Sequence, residues 1–336
     1  MKKFLQLFFV LGTIVMLGAC EKEVESDAFK VALILPGKID DVSWNQAMYE
    51  GMMLVKEEFG DLIEVSVSEE VYEVTDIEPA LRDYAAEGFD LIFGHGFQFM
   101  EPILKVAEEY PDTYFALGSG YKTTTNSVVY DIHLAEGGYI MGVIAALATE
   151  TNKLGIVGGA AVSEIFRGHE GFKFGALSVN PDVVFQENFT GDWRDTQGAK
   201  TAVEGMYDAG VDIVWHSGDG IGLGAVQGAK EKNKMVLGNV ADQTDLAPKN
   251  VLSGVIYQWD AVIRDILNDA LDGKIKEQTP GEKFYFLGSA NEGIKYAEFR
   301  GDFVDLLTTE ERTLIEQMWS DLKAGVMVLP EFDPNA

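Results

Sequence analysis

From Phe29 onward, short apolar runs alternate with longer amphipathic stretches, and this alternation constrains the fold more than any other feature of the chain. An apolar run of four to six residues, bounded by turn residues, reads as a strand buried on both faces. Strands covered on both sides, with amphipathic segments between them, imply a parallel sheet with crossover helices. Residues 30–35 (KVALIL) read as the first strand and 44–59 as a helix. Strands at 63–68, 91–93 and 114–117 follow, with helical segments between them. A second series begins after Tyr130, with a helix at 137–149, a strand at 153–158, a helix at 164–179, and strands at 183–188 and 211–216. Late strands at 236–238 and 251–256 and late helices at 260–272 and 309–324 complete it. The doubling predicts an α/β fold of two doubly wound parallel-sheet lobes, with ligands bound outside the carboxyl ends of the strands.

Composition fits this reading. With 47% hydrophobic and 24% charged residues the chain suits a globular protein with sizeable cores, and 336 residues suit two domains. A formal charge of −29 argues against nucleic acid or anionic lipid surfaces as partners. Any hold on a membrane must therefore come from elsewhere, and the first twenty residues supply one. Lys2 and Lys3 precede an apolar stretch at 4–15 that is too short to span a bilayer. Leu17-Gly18-Ala19-Cys20 then places small residues before a cysteine, a bacterial lipoprotein cleavage signal. Cys20 is the only cysteine, so it is the expected lipidation site and the mature fold has no internal disulfide. The expected organisation is a signal peptide at 1–19, a lipidated tether at 20–28, one lobe from 29–130 plus 254–286, and another from 131–253 plus 287–336.

The loop at 37–46 leads from the first strand into a helix. Asp41 or Ser43 can cap that helix, and Trp44 in its first turn offers either a flat face for a planar ring or a core-packing side chain. Gly218, Gly220, Gly222 and Gly224 form a glycine-rich stretch of the kind that can cradle phosphate. A dinucleotide fingerprint starting at Gly218 needs glycine at 223, where Leu223 stands, and no basic residue follows before Lys230. A tight turn that lets a ligand approach backbone amides fits better. His216 reads as a core histidine, a ligand donor or a pH-sensitive contact. The sequence carries no G-x-S-x-G elbow, H-E-x-x-H pair or Walker loop, and its four histidines (His95, His133, His169, His216) are too dispersed for a local metal motif. Asp40-Asp41 lacks the further aspartates of a calcium-holding nucleoside hydrolase. No catalysis, cofactor or metal is expected.

The segment Asp40 through Gln46 with Glu50-Gly51 resembles the basic membrane protein family. So do Gly94-His95-Gly96-Phe97, Glu136 through Gly142, Gly155 through Gly159, Gly171-Phe172 with Gly175-Ala176, and Val179-Asn180-Pro181, in this order and spacing. The resemblance covers most of the mature chain. It implies a periplasmic binding protein of type I, with two lobes joined by three hinge crossovers. Its ligand would be a purine nucleoside or nucleobase held between aromatic side chains and handed to an ABC permease and ATPase. Carried over by position, it puts Trp44 at the aromatic site, Asp41 and Asn45 near the base, Phe97 on the third strand's loop and Asp131 at the lobe crossover. Helix capping, core packing and a hinge turn are the plainer roles for these residues.

Two departures bear on the ligand. Nucleoside-binding members carry Gly-Val-Asp-x-Asp-Gln where this chain reads Gly238-Asn239-Val240-Ala241-Asp242-Gln243, so the first acid is replaced by Val240 and Asp242 remains. A lysine common in such members is missing from the stretch Ser253 to Trp259. Losing one charge-assisted hydrogen bond to ribose forfeits about 1.5–3 kcal/mol. Gly120-Tyr121-Lys122-Thr123 and His216-Ser217-Gly218-Asp219 resemble a branch that suggests a free base such as adenine, and the tilt is toward the base. The expected ligand-binding set is Asp41, Trp44, Asn45, Phe97, Tyr121, Asp131, His216, Asp219, Asp242 and Trp259. A ligand-sensing lipoprotein of the same fold is the first alternative and a nucleoside-processing enzyme the second.

Overall fold

A computed structural model describes residues 28–332; the signal segment and Cys20 lie outside the described residues. The first half of the chain forms β1 (Phe29–Ile34), α1 (Trp44–Phe59), β2 (Ile63–Ser68), α2 (Val74–Ala86), β3 (Leu91–Gly94), α3 (Met100–Glu109), β4 (Tyr114–Gly118) and β5 (Ser127–Ile132). It continues through α4 (Leu134–Ala148), β6 (Lys153–Gly158), α5 (Ser163–Val179), β7 (Val184–Phe189), α6 (Thr196–Asp208), β8 (Ile213–Ser217), α7 (Asp219–Lys232) and β9 (Met235–Gly238). The remainder forms β10 (Val251–Tyr257), α8 (Trp259–Leu271), β11 (Phe284–Leu287), β12 (Ile294–Tyr296) and α9 (Thr309–Lys323).

Two six-stranded sheets result, ordered β11-β5-β4-β3-β1-β2 and β12-β10-β9-β8-β6-β7. All pairings are parallel except β10 with β12. Each sheet reverses its strand order once, between β1 and β3 in the first and between β6 and β8 in the second. Loops leaving adjacent strands in opposite directions open a crevice at such a point.

The chain passes between the lobes three times, at 133, at 258 and through 288–293. The second passage lies beyond the expected boundary near Ser253. β10 stays paired with β9 through Gly254 and with β12 through Tyr257, so it belongs to the second sheet to its end.

Helix packing follows from side-chain size. Met48, Met52 and Val55 recur at helical spacing on α1 and are buried against the first sheet. Gly51 faces α8, where a Cβ would stand 2.8 Å from Trp259 Cβ. The helix α4 is apolar nearly all round because α5, α9 and the second sheet cover it. It meets α5 through interlocked glycines: a Cβ on Gly142 would lie 2.0 Å from Phe172 O, and one on Gly175 2.0 Å from Tyr139 O. The two backbones touch there, which accounts for the small residues in both motifs.

The glycine-rich stretch is a helix, correcting the expected turn. Only Gly218 turns the chain, at φ +146°, and α7 runs from Asp219. Its glycines give clearance to neighbours: a Cβ on Gly222 would meet the His216 ring at 2.5 Å, and one on Gly224 would meet Thr196 O at 2.2 Å.

Among the described residues no helix is long and apolar enough to cross a membrane, and no cluster of three or more His, Cys, Asp or Glu could hold a metal ion.

Candidate functional site

A cavity of about 460 Å³ opens between the lobes, walled by residues that follow the carboxyl ends of strands from both sheets. Gly37 follows β1, His95 follows β3 and Ser119 follows β4; Gly218 follows β8, Asn239 follows β9, and Tyr257 ends β10. Loop backbones here are unusual. Val42, Ser119 and Val240 have φ of 57°, 56° and 75°, a region disfavoured for any side chain and most of all for β-branched ones.

Trp44 stands at the crevice between β1 and β3. Its ring stacks on His95 with centroids 4.3 Å apart and planes at 19°. Beside the pair, Trp259 stands perpendicular to Trp44, His95 and Tyr130, with ring centroids 5.0–5.7 Å away. Trp44 lines the cavity, and among the described residues His95 is the one ring stacked on it. Burial lowers the His95 pKa from 6.5 to about 3, so the ring is neutral. His95 Nε2 donates to Trp44 O at 3.2 Å, and Nδ1 therefore accepts from Tyr130 Oη at 2.9 Å.

Asp41 and Asn45 line the cavity, yet most of their bonding is spent on the loop. The Asp41 carboxylate accepts from the backbone of Ser43, Asn45 and Gln46 and from Asn45 Nδ2 at 2.6 Å. Four donors fill a carboxylate's acceptor positions, so Asp41 fixes the first turn of α1, the capping role. Asn45 Oδ1 accepts from Gly37 N at 3.0 Å.

Phe97 lines the cavity and is 44% exposed. Five of the remaining expected residues lie off the wall. Tyr121 is 68% exposed on the loop before β5, with Lys122 over its own ring. Asp131 is tied to Arg167 at 2.8 Å. His216 is buried under α7 with Nε2 2.7 Å from Gln243 Oε1. Asp242 is engaged by Arg300 at 2.7 Å and by Thr244. Trp259 is 1% exposed, packed beside Trp44. Asp219 begins α7, and its side chain lies outside the described residues.

Several wall residues escape a linear reading of the sequence: Tyr72, Glu164, Trp193, Arg194, Asn239 and Tyr257. Trp193 comes from a loop with no motif; its signal is indirect, in Gly159, where a Cβ would stand 2.4 Å from the indole. Glu164 reads in sequence as an ordinary first-turn acid.

Several contacts among the described residues join the lobes. Ser119 Oγ donates to Glu164 Oε2 at 2.7 Å, and Gln243 Nε2 donates to Val42 O at 3.3 Å. The Arg194 guanidinium lies 3.9 Å from the Tyr72 ring centroid, and Arg167 pairs with Asp131. These contacts bridge the two lobes.

One constellation has the outline of a catalytic triad. His169 Nδ1 donates to Glu187 Oε1 at 2.6 Å, and Nε2 faces Ser217 Oγ at 2.7 Å. The His169 bond and then Lys173 hold Glu187 ionised, at a pKa of about 2. Ser217 is fully buried and absent from the cavity wall, and the imidazole is stacked on Phe189. A nucleophile needs access to a substrate carbonyl, and here the line of three braces α5 against β7 and β8.

The family model described as ABC transporter substrate-binding protein PnrA-like (Bmp) matches residues 28–295, spanning both sheets and all three crossings. A purine-binding protein of Brucella abortus (strain 2308) is 32% identical over 270 residues, which cover 80% of this chain and 74% of that one. The transcriptional activator protein med of Bacillus subtilis (strain 168) is 26% identical over 287 residues, covering 84% and 87%. An ABC transporter solute-binding protein from Conexibacter woesei DSM 14684 superposes with a TM-score of 0.72 at 26% identity, over 91% of this chain and 99% of that one.

Proposed function

The chain belongs to the PnrA-like family of ABC transporter substrate-binding proteins, and from that premise we propose that it captures a purine, as nucleoside or free base, between its lobes for delivery to an ABC permease and ATPase. The observation that carries the reading is the Trp44 ring, stacked on His95 and lining a cavity assembled from the strand ends of both lobes. A planar aromatic ligand is what such a face selects. The purine-binding relative supports the choice of ring. Four acids (Asp40, Asp41, Glu70, Glu164) and two bases (Lys38, Arg194) stand on the wall, which disfavours a phosphorylated ligand and favours a neutral one.

Val240 stands where nucleoside-binding members carry an acid, and it tilts the reading toward the free base. Closure is the working motion: a ligand seated on Trp44 stabilises the bridged state, and a membrane partner recognises that surface. A lipid on Cys20 would hold the protein at the outer face of the cell membrane. The protein has no catalytic part in this scheme.

The similarity to a transcriptional activator favours one second reading, a ligand-sensing protein that uses the same closure. Uptake of labelled adenine and adenosine by cells with the gene intact or disrupted separates the two. Import is supported if disruption abolishes uptake of one of them at low external concentration. Unchanged uptake of both sinks it and leaves sensing.

A further inference from the structure

Five buried side-chain polar atoms among the described residues have no hydrogen-bond partner: Ser43 Oγ, His216 Nδ1, Asn239 Oδ1, Trp259 Nε1 and Ser289 Oγ. Of the residues that carry them, only Asn239 stands on the cavity wall. It is 1% exposed, and its neighbours hold it in place. Trp215 Nε1 donates to Gly238 O at 3.2 Å on one side, and Tyr257 N donates to Val240 O at 2.8 Å on the other. Val240 keeps its positive φ between them.

A buried amide oxygen without a donor is costly, and strain is tolerated next to it. Both features make sense where the missing donor arrives with the ligand. We propose that Asn239 is the specificity-determining residue of the site, its amide reading the donor–acceptor edge of the bound ring. The inference rests on the purine reading and deepens it. A carboxamide sets an acceptor beside a donor, and a 6-amino purine sets an N–H donor beside a ring-nitrogen acceptor, so the two pair through two parallel bonds. A purine without a 6-substituent has no such donor. In sequence Asn239 occupies the position before Val240, within a segment whose notable feature is the lost acid, so its own chemistry is easily passed over.

The test is titration of adenine, unsubstituted purine and adenosine into the wild-type protein and into Asn239→Leu and Asn239→Asp. Wild type is expected to bind adenine at least about tenfold more tightly than unsubstituted purine, one hydrogen bond to a polar edge. Asn239→Leu closes that gap by losing adenine affinity while keeping purine affinity. Its ligand-free melting temperature should equal or exceed that of wild type, because an isosteric apolar group replaces an unmet polar one. Asn239→Asp keeps the acceptor and repels the ring nitrogen, so its adenine affinity falls while its shape is conserved, and it serves if the leucine variant misfolds. Equal losses for adenine and purine, a lowered ligand-free melting temperature in Asn239→Leu, or a loss confined to adenosine would each overturn the assignment. A wild-type protein that binds none of the three but binds guanine or hypoxanthine overturns the assignment alone, whereas one that binds no purine overturns the purine reading and the proposal with it.

Discussion

Trp44 and His95 brace each other reciprocally. Their rings stack at 4.3 Å while His95 Nε2 donates to Trp44 O at 3.2 Å and Trp44 Nε1 donates to His95 O at 3.4 Å. The loop after β1 and the loop after β3 are thereby locked together over the crevice of the first sheet. A ring face held this way is preorganised, so little ordering cost falls on the ligand.

Replacing Trp44 with alanine should therefore weaken purine binding by about 1–3 kcal/mol, the range for base–aromatic stacking. Trp44→Phe should recover part of the loss. Calorimetric titration measures both, with circular dichroism to verify the fold; unchanged affinity in a folded Trp44→Ala protein removes the indole from the site.

Acid should destabilise the protein well above the range in which carboxylates titrate. Burial lowers His95 from 6.5 to about 3 and His216 from 6.5 to about 4, and lowers His169 as well. The unfolded chain binds these protons from about pH 6.5 downward while the folded chain refuses them. Stability is thus complete above pH 6.5 and falls as pH drops toward 4, by up to about 1.4 kcal/mol per pH unit for each histidine. Glu187, held down at about 2, adds its loss only below its ordinary value of 4.5. Urea denaturation between pH 7 and pH 5 reads the slope, and His95→Gln should shrink it.

The bridges between the lobes set how much of the population is closed. Gln243→Leu removes the donor to Val42 O and, with it, the partner of His216. Ligand affinity should fall by roughly three- to tenfold, about 0.5–1.5 kcal/mol for one net hydrogen bond. Small-angle scattering of the ligand-free variant should show a larger radius of gyration. A variant as compact as wild type and as tight would mean that this contact does not govern closure.

Val240→Asp restores the acid that nucleoside-binding members carry at this position, on a backbone at φ +75° that aspartate tolerates better than valine. Affinity for adenosine should rise relative to adenine by about 1.5–3 kcal/mol, one charge-assisted bond to ribose. An adenosine-to-adenine ratio that stays the same would show that ribose does not reach residue 240.

What the sequence reveals depends on how local the cause is. The helix at 44–59 and the strand at 63–68 are legible because their apolar spacing and the Asp41 cap lie within one stretch of chain. Trp44 is legible for the same reason. Asn239, Trp193 and Glu164 are not, since what makes them notable is the company they keep across the cavity, assembled from separate crossings. Asp131, His216 and Asp242 have suitable chemistry but spend it on Arg167, Gln243 and Arg300. The glycines of α7 mislead because their local meaning is a turn, whereas packing against His216 and Thr196 demands small residues within a helix.

The central claim is that a purine is held between the lobes, and calorimetric titration tests it most directly. The purified chain, unfolded and refolded to strip bound ligand, is titrated with adenosine, guanosine, inosine, adenine, guanine and hypoxanthine. The account predicts submicromolar binding by at least one of the six, strongest for a free base, and its weakening by about 1–3 kcal/mol in Trp44→Ala. Silence from all six, with the fold intact, would contradict it and leave a two-lobed scaffold built for another ligand.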